Sequence, residues 1–514
     1  MIRFLPLLIT ALTCSVALNL ASAKSSSPPN VLFVAIDDLN DWITPFGGHP
    51  QAITPNLEAF ANRGAMIFQN AHCAGPVCGP SRSALLSGFL PSTTGLYGNS
   101  QNMLHSELVQ THATLPEYFA KNGYHTISRG KIFHAHASKT GRDDGQWAFE
   151  EWLPRTKGVG VDRDGLYSRN QNIIAGQPGP PSEYTRRGGS EFAWGPTKGP
   201  KEETGDYRNA QWAAEQLQRD FDQPFFMAIG FSKPHLPFYV PQEFFDLYAD
   251  VDVKANPIKR DDLDDILRPD GKPKFKPTDD YLWLEENDLI DEATHAYLAA
   301  VSYADACLGV LLEALESSPH ADNTIVVVWG DHGWHLGEKL RFRKAAGWTE
   351  ATRMPLMVRL PGMSGRQDSS RAVNLIDLYP TLIDLCDLPE KPELDGRSFG
   401  PVLADPTVAW DYPTMTVLRE GGASLRDERW SYIRYDDGTE EVYDLLADPM
   451  EWDNLNIRRS PEVAAAVNRL AAVIPADFAP TGRNSKLADA DKNSEWAKRI
   501  DPTLKPKRIL SELK

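Results

Sequence analysis

Cysteine is scarce in this chain: five residues in 514, of which Cys73, Cys78, Cys307 and Cys386 lie beyond the N-terminal segment. So few cannot staple a chain of this length, which excludes a disulfide-built scaffold and leaves burial of apolar surface to hold the fold. Positive charge is also short. Lys and Arg number 53 against 70 Asp and Glu, a formal net charge of −17, and this argues against nucleic-acid binding by the general surface. An anionic ligand must therefore be attracted by a local cationic pocket. No internal repeat is present, and no run after the first 23 residues reads as long enough to span a bilayer, so stable membrane insertion is not expected.

What is present begins with an export pattern. Arg3 supplies a positive start, Phe4 to Leu12 an apolar region, and Ala21-Ser22-Ala23 a small-residue cleavage site, so residues 1–23 read as a secretory signal and the mature protein as periplasmic or secreted. Cys14 invites lipidation, but Thr13 before it fits a lipoprotein signal poorly. With 41% hydrophobic and 24% charged residues, the remainder has the composition of a globular protein large enough for two lobes.

The chain is organised around Cys78-Gly79-Pro80-Ser81-Arg82, followed by Ser83-Ala84-Leu85-Leu86-Ser87-Gly88. This reads as a turn entering a helix, with Pro80 suited to a first helical position. A cysteine at that place faces unpaired backbone N–H groups and the positive end of the helix dipole, which favours an anionic nucleophile. Arg82, one turn on, can present its planar fork to an oxyanion. Taken alone, such a cysteine more often reads as a buried structural residue.

Ionisable residues recur where apolar runs end. Val31 to Ile36 has the continuous apolar pattern of a central parallel strand and stops at Asp37-Asp38. The strand expected at Tyr124 to Ser128 leads to Lys131 and His134, which can share one side if that segment is helical. Phe225 to Phe231 ends at Lys233-Pro234-His235, and Ile325 to Trp329 at Gly330-Asp331-His332. In a parallel sheet with helical crossovers these ends share one edge, where ligands bind. Asp37, Asp38 and Asp331, with His332 at the margin, form an oxygen-rich set suited to calcium, or secondarily magnesium, rather than zinc.

Elsewhere, Asp206 is expected to cap a helix over Tyr207 to Asp220, and Asp291 to Glu316 to be a long amphipathic helix. The stretch from Ala137 to Asp206 reads as a long irregular excursion, and Asp250 to Asp291 as an acidic surface insertion. Beyond Gly400, Trp430 to Tyr435 and Glu441 to Leu445 suggest a hairpin turning near Asp437-Gly438, with a helix over Pro461 to Ile474.

The run from Cys78 through Leu86-Ser87-Gly88 to Thr94-Gly95-Leu96-Tyr97-Gly98 resembles the signature of type I sulfatases, and the likeness extends over nearly the whole mature chain. It is most similar to the iduronate-2-sulfatase-like group, on Ile36-Asp37-Asp38-Leu39, Gly130-Lys131-Ile132-Phe133-His134, Lys233-Pro234-His235-Leu236-Pro237-Phe238 and Gly330-Asp331-His332-Gly333-Trp334. Asn374 to Thr381, Tyr443-Asp444-Leu445 and Asp448-Pro449 add to it.

The resemblance implies an alkaline-phosphatase-like α/β sulfatase fold. That is a large, mostly parallel mixed sheet sandwiched by helices over residues 24–400, and a smaller C-terminal α+β subdomain over 401–514. It implies that Cys78 is converted to formylglycine by a maturation enzyme, and that Asp37, Asp38, Asp331, His332 and the modified Cys78 bind one calcium ion. Arg82, Lys131, His134, His235 and Lys344 would line the sulfate pocket. The implied activity is hydrolysis of sulfate monoesters of a sulfated oligosaccharide or polysaccharide, glycosaminoglycan or algal.

Lys339-Leu340-Arg341-Phe342-Arg343 departs from the iduronate enzymes, so the sugar, its ring position and exo or endo action stay open, as does the oligomeric state. Two other readings also stand. A phosphoester hydrolase of the alkaline-phosphatase-like superfamily would need more His and Asp ligands for two zinc ions. A catalytically silent sulfated-glycan-binding protein fits poorly with intact Cys78, Arg82 and His235.

Overall fold

The run Asn30–Ile36 is buried along its whole length, because it lies inside an eight-stranded sheet with apolar layers on both faces. A computed structural model describes residues 27–138, 141–156, 158–159, 192–482, 511 and 513–514, with the strand segments Tyr167–Ser168, Ile173–Ile174 and Gln177–Pro178. The expected signal segment, Cys14 included, lies outside the described residues.

Across the sheet the strands run Gln367–Ser369, Met66–Phe68, Leu356–Arg359, Thr324–Gly330, Asn30–Ile36, Phe225–Phe231, His125–Gly130 and Glu151–Leu153. Leu356–Arg359 is antiparallel to both neighbours, and the other pairings are parallel. Ile36 pairs in register with Phe231 and Gly330, and Gly130 with Gly230. The four strand ends that carry ionisable residues are thereby brought to one edge.

Side chains alternate along the central strand, yet neither set meets water. Leu32, Val34 and Ile36 pack with residues of the helix Ile290–Glu316 and of Gly205–Gln216. Val31, Phe33 and Ala35 pack with residues of Cys78–Ser87, Leu115–Lys121 and Leu378–Leu385. Burial on both faces is why the sequence shows continuous apolar runs here rather than alternation. Phe33 sits between Phe226 and Trp329, with ring centroids 5.6 and 5.2 Å away.

Ile290–Glu316 buries the stripe expected of it, including Ala299, Ala300, Tyr303, Ala304, Cys307, Leu308, Leu311 and Leu312. Contrary to the expectation that no later run reaches spanning length, this helix is long and apolar enough by length and composition, but its most apolar window is 72% buried inside the fold. It is a core helix. Asp305 on it accepts hydrogen bonds from the backbone N–H of Asn56 (3.1 Å) and Leu57 (2.7 Å) and from Asn56 Nδ2 (2.8 Å). It thus caps Pro55–Asn62, whose own N-cap residue Thr54 makes no side-chain cap bond.

Several expectations are corrected. Part of the stretch from Ala137 to Asp206 is ordered into the fold: Glu151–Leu153 joins the main sheet, and Ala193–Thr197 pairs with Phe238–Pro241. The insertion before Asp291 is anchored by buried Val253, Leu263, Ile266, Tyr281, Trp283 and Leu284, and holds the helix Asp279–Glu286. Its charges mask an apolar minority. The C-terminal hairpin turns at the expected place but belongs to a four-stranded antiparallel sheet begun by Thr414–Arg419 and Gly422–Arg426, with Pro461–Ala471 packed on it. This sheet is tied to the turn before Cys78 through Val417 N–H to Ala74 O (2.9 Å) and Thr416 Oγ1 to Cys73 O (2.6 Å).

Removing the cap carboxylate should show in stability. Asp305→Ala leaves the half-buried Asn56 N–H and the buried Leu57 N–H without an acceptor and is expected to cost roughly 2–4 kcal/mol, read as a lowered thermal midpoint. Asp305→Asn, which keeps one acceptor oxygen, should lose less.

Candidate active site

Cys78 is the first residue of the helix Cys78–Ser87, which closes at left-handed Gly88 (φ 78°). Pro80 therefore sits third rather than first, still inside the turn whose N–H groups lack helical partners. The helix start is held by Ser81 Oγ, which donates to Asp331 O, and by Asn99 Oδ1, which accepts the Gly79 N–H at 2.7 Å. Cys78 thereby faces the strand edge, fully buried.

Arg82, one turn on, is also fully buried. Its Nε donates to Asp331 Oδ2 at 2.8 Å and its terminal nitrogens to Asp37 Oδ1 (3.1 Å), Ile132 O (2.9 Å) and Lys131 O. Its guanidinium also packs 5.3 Å from the Trp329 ring. The sequence reading offered this fork to an oxyanion; in the structure each of its nitrogens donates to a protein acceptor.

Around the cysteine, His332 Nε2 and Lys344 Nζ each lie 3.3 Å from Sγ, and Asp38 Oδ1 lies 3.9 Å from it. His134 hydrogen-bonds the same thiol. Lys131 donates to Asp37 and Lys344 to Asp38. His235 Nε2 is 3.8 Å from Asp38 Oδ2, and His332 Nε2 is 3.3 Å from Asp38 Oδ1 and 3.6 Å from Asp331 Oδ1. All ten residues singled out in the sequence meet here, although Lys131 and His134 converge from an irregular segment rather than from one side of a helix.

The donors fit a hard divalent cation. Asp37, Asp38, Cys78 and His235 each offer a ligand atom within 4.8 Å of the others, as do Cys78, Asp331 and His332. Among the described residues, nothing donates a hydrogen bond to buried Asp38 Oδ2, an arrangement costly for a carboxylate unless a cation serves it. Asp38 itself has a left-handed backbone (φ 61°), and its carbonyl accepts the Tyr297 hydroxyl at 2.8 Å. His332 Nδ1 lies 2.9 Å from Gly333 O, which orients Nε2 toward the cluster.

The electrostatics follow from this crowding. Burial alone would raise the Cys78 thiol, but Lys131, Lys344 and His332 overcome it and hold the thiol well below its ordinary value. Burial opposes protonation of His332, yet Asp331 beside it raises the imidazole to about 9. Burial lowers His134, which is therefore neutral at neutral pH. The other cysteines behave oppositely: burial pushes Cys73, Cys307 and Cys386 up.

Three supporting residues escaped the sequence reading of the site. Asp206 does not cap its helix, which begins at Gly205 after Thr204. Its Oδ2 instead accepts the Ser232 and Lys233 N–H groups at 2.8 and 2.9 Å and fixes the turn that carries His235. Lys233 donates to His235 O (3.0 Å) and Pro237 O, and burial lowers its amine to about 8. Tyr297 lies on the apolar stripe of a core helix, so no sequence signal marked it; Lys233 stood in a quoted motif, which was the available one.

An α/β sheet that gathers acids, cations and an acidic cysteine on its carboxyl edge suits the hydrolysis of charged esters, on a fold shared with sulfatases and phosphonate monoester hydrolases. Residues 29–388 match the Sulfatase family model, and residues 330–475 match the model for the C-terminal part of N-sulphoglucosamine sulphohydrolase. A sulfatase of Formosa agariphila is 36% identical over 92% of this chain and 91% of its own. The iduronate 2-sulfatase of Mus musculus is 30% identical over 75% of this chain and 74% of its own. A protein solved in complex with its substrate D-glucosamine-2-N,6-O-disulfate superposes with TM-score 0.64 at 21% identity, over 92% of this chain and all of that one, a likeness of fold. The chain belongs to the sulfatase family and is a sulfuric ester hydrolase.

The contrast among the thiols makes a pH test. In protein that retains Cys78 as cysteine and is kept free of divalent cations, thiolate absorbance near 240 nm is expected well below the ordinary thiol range. A lowered pKa keeps the anion present as pH falls, so the signal should persist to lower pH and vanish in Cys78→Ala. The three raised thiols stay protonated and contribute nothing there.

Proposed function

We propose that this sulfatase hydrolyses sulfate monoesters of a sulfated carbohydrate, using formylglycine made from Cys78 and one calcium ion held by Asp37, Asp38, Asp331, His332 and residue 78. The observation that carries the reading is the meeting of Cys78 with Lys344 and His332, each at 3.3 Å, beside an unserved Asp38 oxygen. His235 extends the ligand reach of the same cluster.

A sulfate monoester needs a nucleophile directed at sulfur, neutralisation of its oxygens and an acid for the departing sugar oxygen. When present, the cation supplies positive charge beside the sulfate oxygens, and formylglycine supplies, as its hydrate, a hydroxyl nucleophile. Lys131 and Lys344 stabilise charge on the sulfate oxygens in the transition state. His235, half-buried at the rim, protonates the leaving oxygen, with Lys344 near enough to share that work. His134, kept neutral by burial and bonded to residue 78, accepts a proton from that residue as sulfate departs. Arg82 holds the acids in place, each of its nitrogens donating to a protein acceptor.

Maturation of Cys78 requires a formylglycine-generating enzyme as partner, and the expected signal at residues 1–23 would direct the protein to the periplasm or outside the cell. The carbohydrate reading draws on relatives named iduronate 2-sulfatase and ulvan-active sulfatase.

Mass spectrometry of the peptide containing Cys78 is expected to show an aldehyde in active protein, and a thiol in fully active protein would refute the modification. Cys78→Ser should lose turnover of sulfate esters by about three orders of magnitude or more with the thermal midpoint retained. Preference for the matched phosphate ester in wild-type protein would favour phosphoester hydrolysis instead.

Chelation provides a second test. Calcium added to chelator-treated protein should restore activity and raise stability by about 2.7 kcal/mol at a hundredfold excess over Kd, visible in the thermal midpoint. A midpoint and a rate both indifferent to chelator would remove the metal from the reading.

A further inference from the structure

A cavity of about 740 Å³ opens beside the start of the Cys78 helix. Its near wall is made by the residues that build the site: Pro76 and Val77 directly precede Cys78, and Asn99 caps Gly79. Ala345 follows Lys344 and donates its N–H to Pro76 O at 2.9 Å. The cavity and the catalytic cluster therefore share the loops that carry Cys78 and Lys344.

The far wall carries three cations in a protein whose overall charge is −17. Two already have acidic partners: Lys274 Nζ lies 2.6 Å from Asp437 Oδ2, and Arg419 lies 3.5 Å from Asp436, which also lines the cavity. Arg341 differs. Half-buried and stacked 5.3 Å from the Trp348 ring, its guanidinium makes no ion pair among the described residues, and its Nε is buried without a hydrogen-bond partner. Glu441, which acts on it electrostatically, has its oxygens occupied by Trp348 Nε1 at 2.8 Å, Tyr435 OH at 2.6 Å and Tyr443 OH. A cation so placed calls for an anion. Tyr97, Phe275 and Tyr435 add aromatic surface to the same walls, and the volume lies in the range of small-ligand pockets.

We propose that this cavity holds a second anionic group of the substrate, and that Arg341 pairs with a carboxylate or additional sulfate on the sugar chain whose sulfate ester is cleaved. The proposal rests on the sulfated-carbohydrate reading above and narrows it to polyanionic sugars. Arg341 lies in the segment Lys339 to Arg343, where the sequence departs from the iduronate enzymes. Its contribution is to specificity, since Lys131 and Lys344 already serve the sulfate that reacts.

The test is the preference among matched substrates, measured as ratios of kcat/KM. The substrates are a sulfated disaccharide with a uronate carboxylate, the same sugar with that carboxylate reduced to an alcohol, and one with an added sulfate instead. Wild-type enzyme should prefer a doubly charged form. Arg341→Met, which keeps the stem on Trp348, should lower that preference about tenfold or more through KM, and Arg341→Lys should restore part of it. Loss of preference for the uronate alone assigns a carboxylate, and for the added sulfate alone a sulfate. No preference in wild type, or one unchanged in Arg341→Met, overturns the proposal. Should Arg341→Met fail to fold, Arg341→Gln, which removes the charge and keeps a polar end, reads the same position, and an unchanged ratio there overturns the proposal.

Failure of the underlying reaction is separable. If no sulfate ester is hydrolysed, calorimetric binding of an unsulfated uronate disaccharide, or of the disaccharide carrying only the additional sulfate, that disappears in Arg341→Met still supports the site, whereas binding of neither to wild type overturns it.

Discussion

A single buried guanidinium holds the active-site framework together. Arg82 reaches from the Cys78 helix to Asp37 at the end of one strand, to Asp331 at the end of its neighbour, and to the carbonyls of Lys131 and Ile132 after a third. A charge this deep is tolerable only when its donors are satisfied by acids and carbonyls in good geometry. The same requirement works in reverse on Asp37 and Asp331, which would repel each other and resist burial without a cation between them. Satisfying all of them at once leaves little freedom in how the Cys78 helix sits on the sheet edge.

From that constraint the rest of the site follows. With each Arg82 nitrogen bonded to a protein acceptor, the proposed oxyanion role falls to Lys131 and Lys344, whose flexible stems place point charges on Asp37 and Asp38. The thiol is acidic because these amines and His332 surround it, and not because the helix start alone makes it so. The outer shell repeats the logic with backbone groups: Asp206 gathers the N–H groups before His235, Tyr297 steadies the left-handed Asp38, and Asn99 fixes Gly79. The C-terminal sheet contributes through Thr416 and Val417, which hold the turn leading into Cys78.

Much of this was legible before the structure. Asn30–Ile36, Phe225–Phe231 and Thr324–Gly330 lie within a residue of their expected limits, because burial on both faces leaves an uninterrupted apolar run. The stripe of Ile290–Glu316 was equally clear, since its period matches the helix. Short strands were not legible: Glu151–Leu153 exists by pairing with His125–Gly130, and three residues carry no period of their own. Asp206 misled because an acid ahead of a helix is a common cap, and nothing local reveals that its oxygen is claimed by Ser232 and Lys233.

By itself, the sequence determined which residues could do chemistry and that they follow strand ends, because residue type and hydrophobic pattern are local properties of the chain. Only the tertiary structure decided that Arg82 clamps two acids from neighbouring strands and that, among the described residues, Asp38 keeps one oxygen without a hydrogen bond and Arg341 stands without an ion pair beside a cavity. These are matters of which donor reaches which acceptor first, and that competition is settled between segments far apart in the chain, as with Asp38 and Lys344, 306 residues apart.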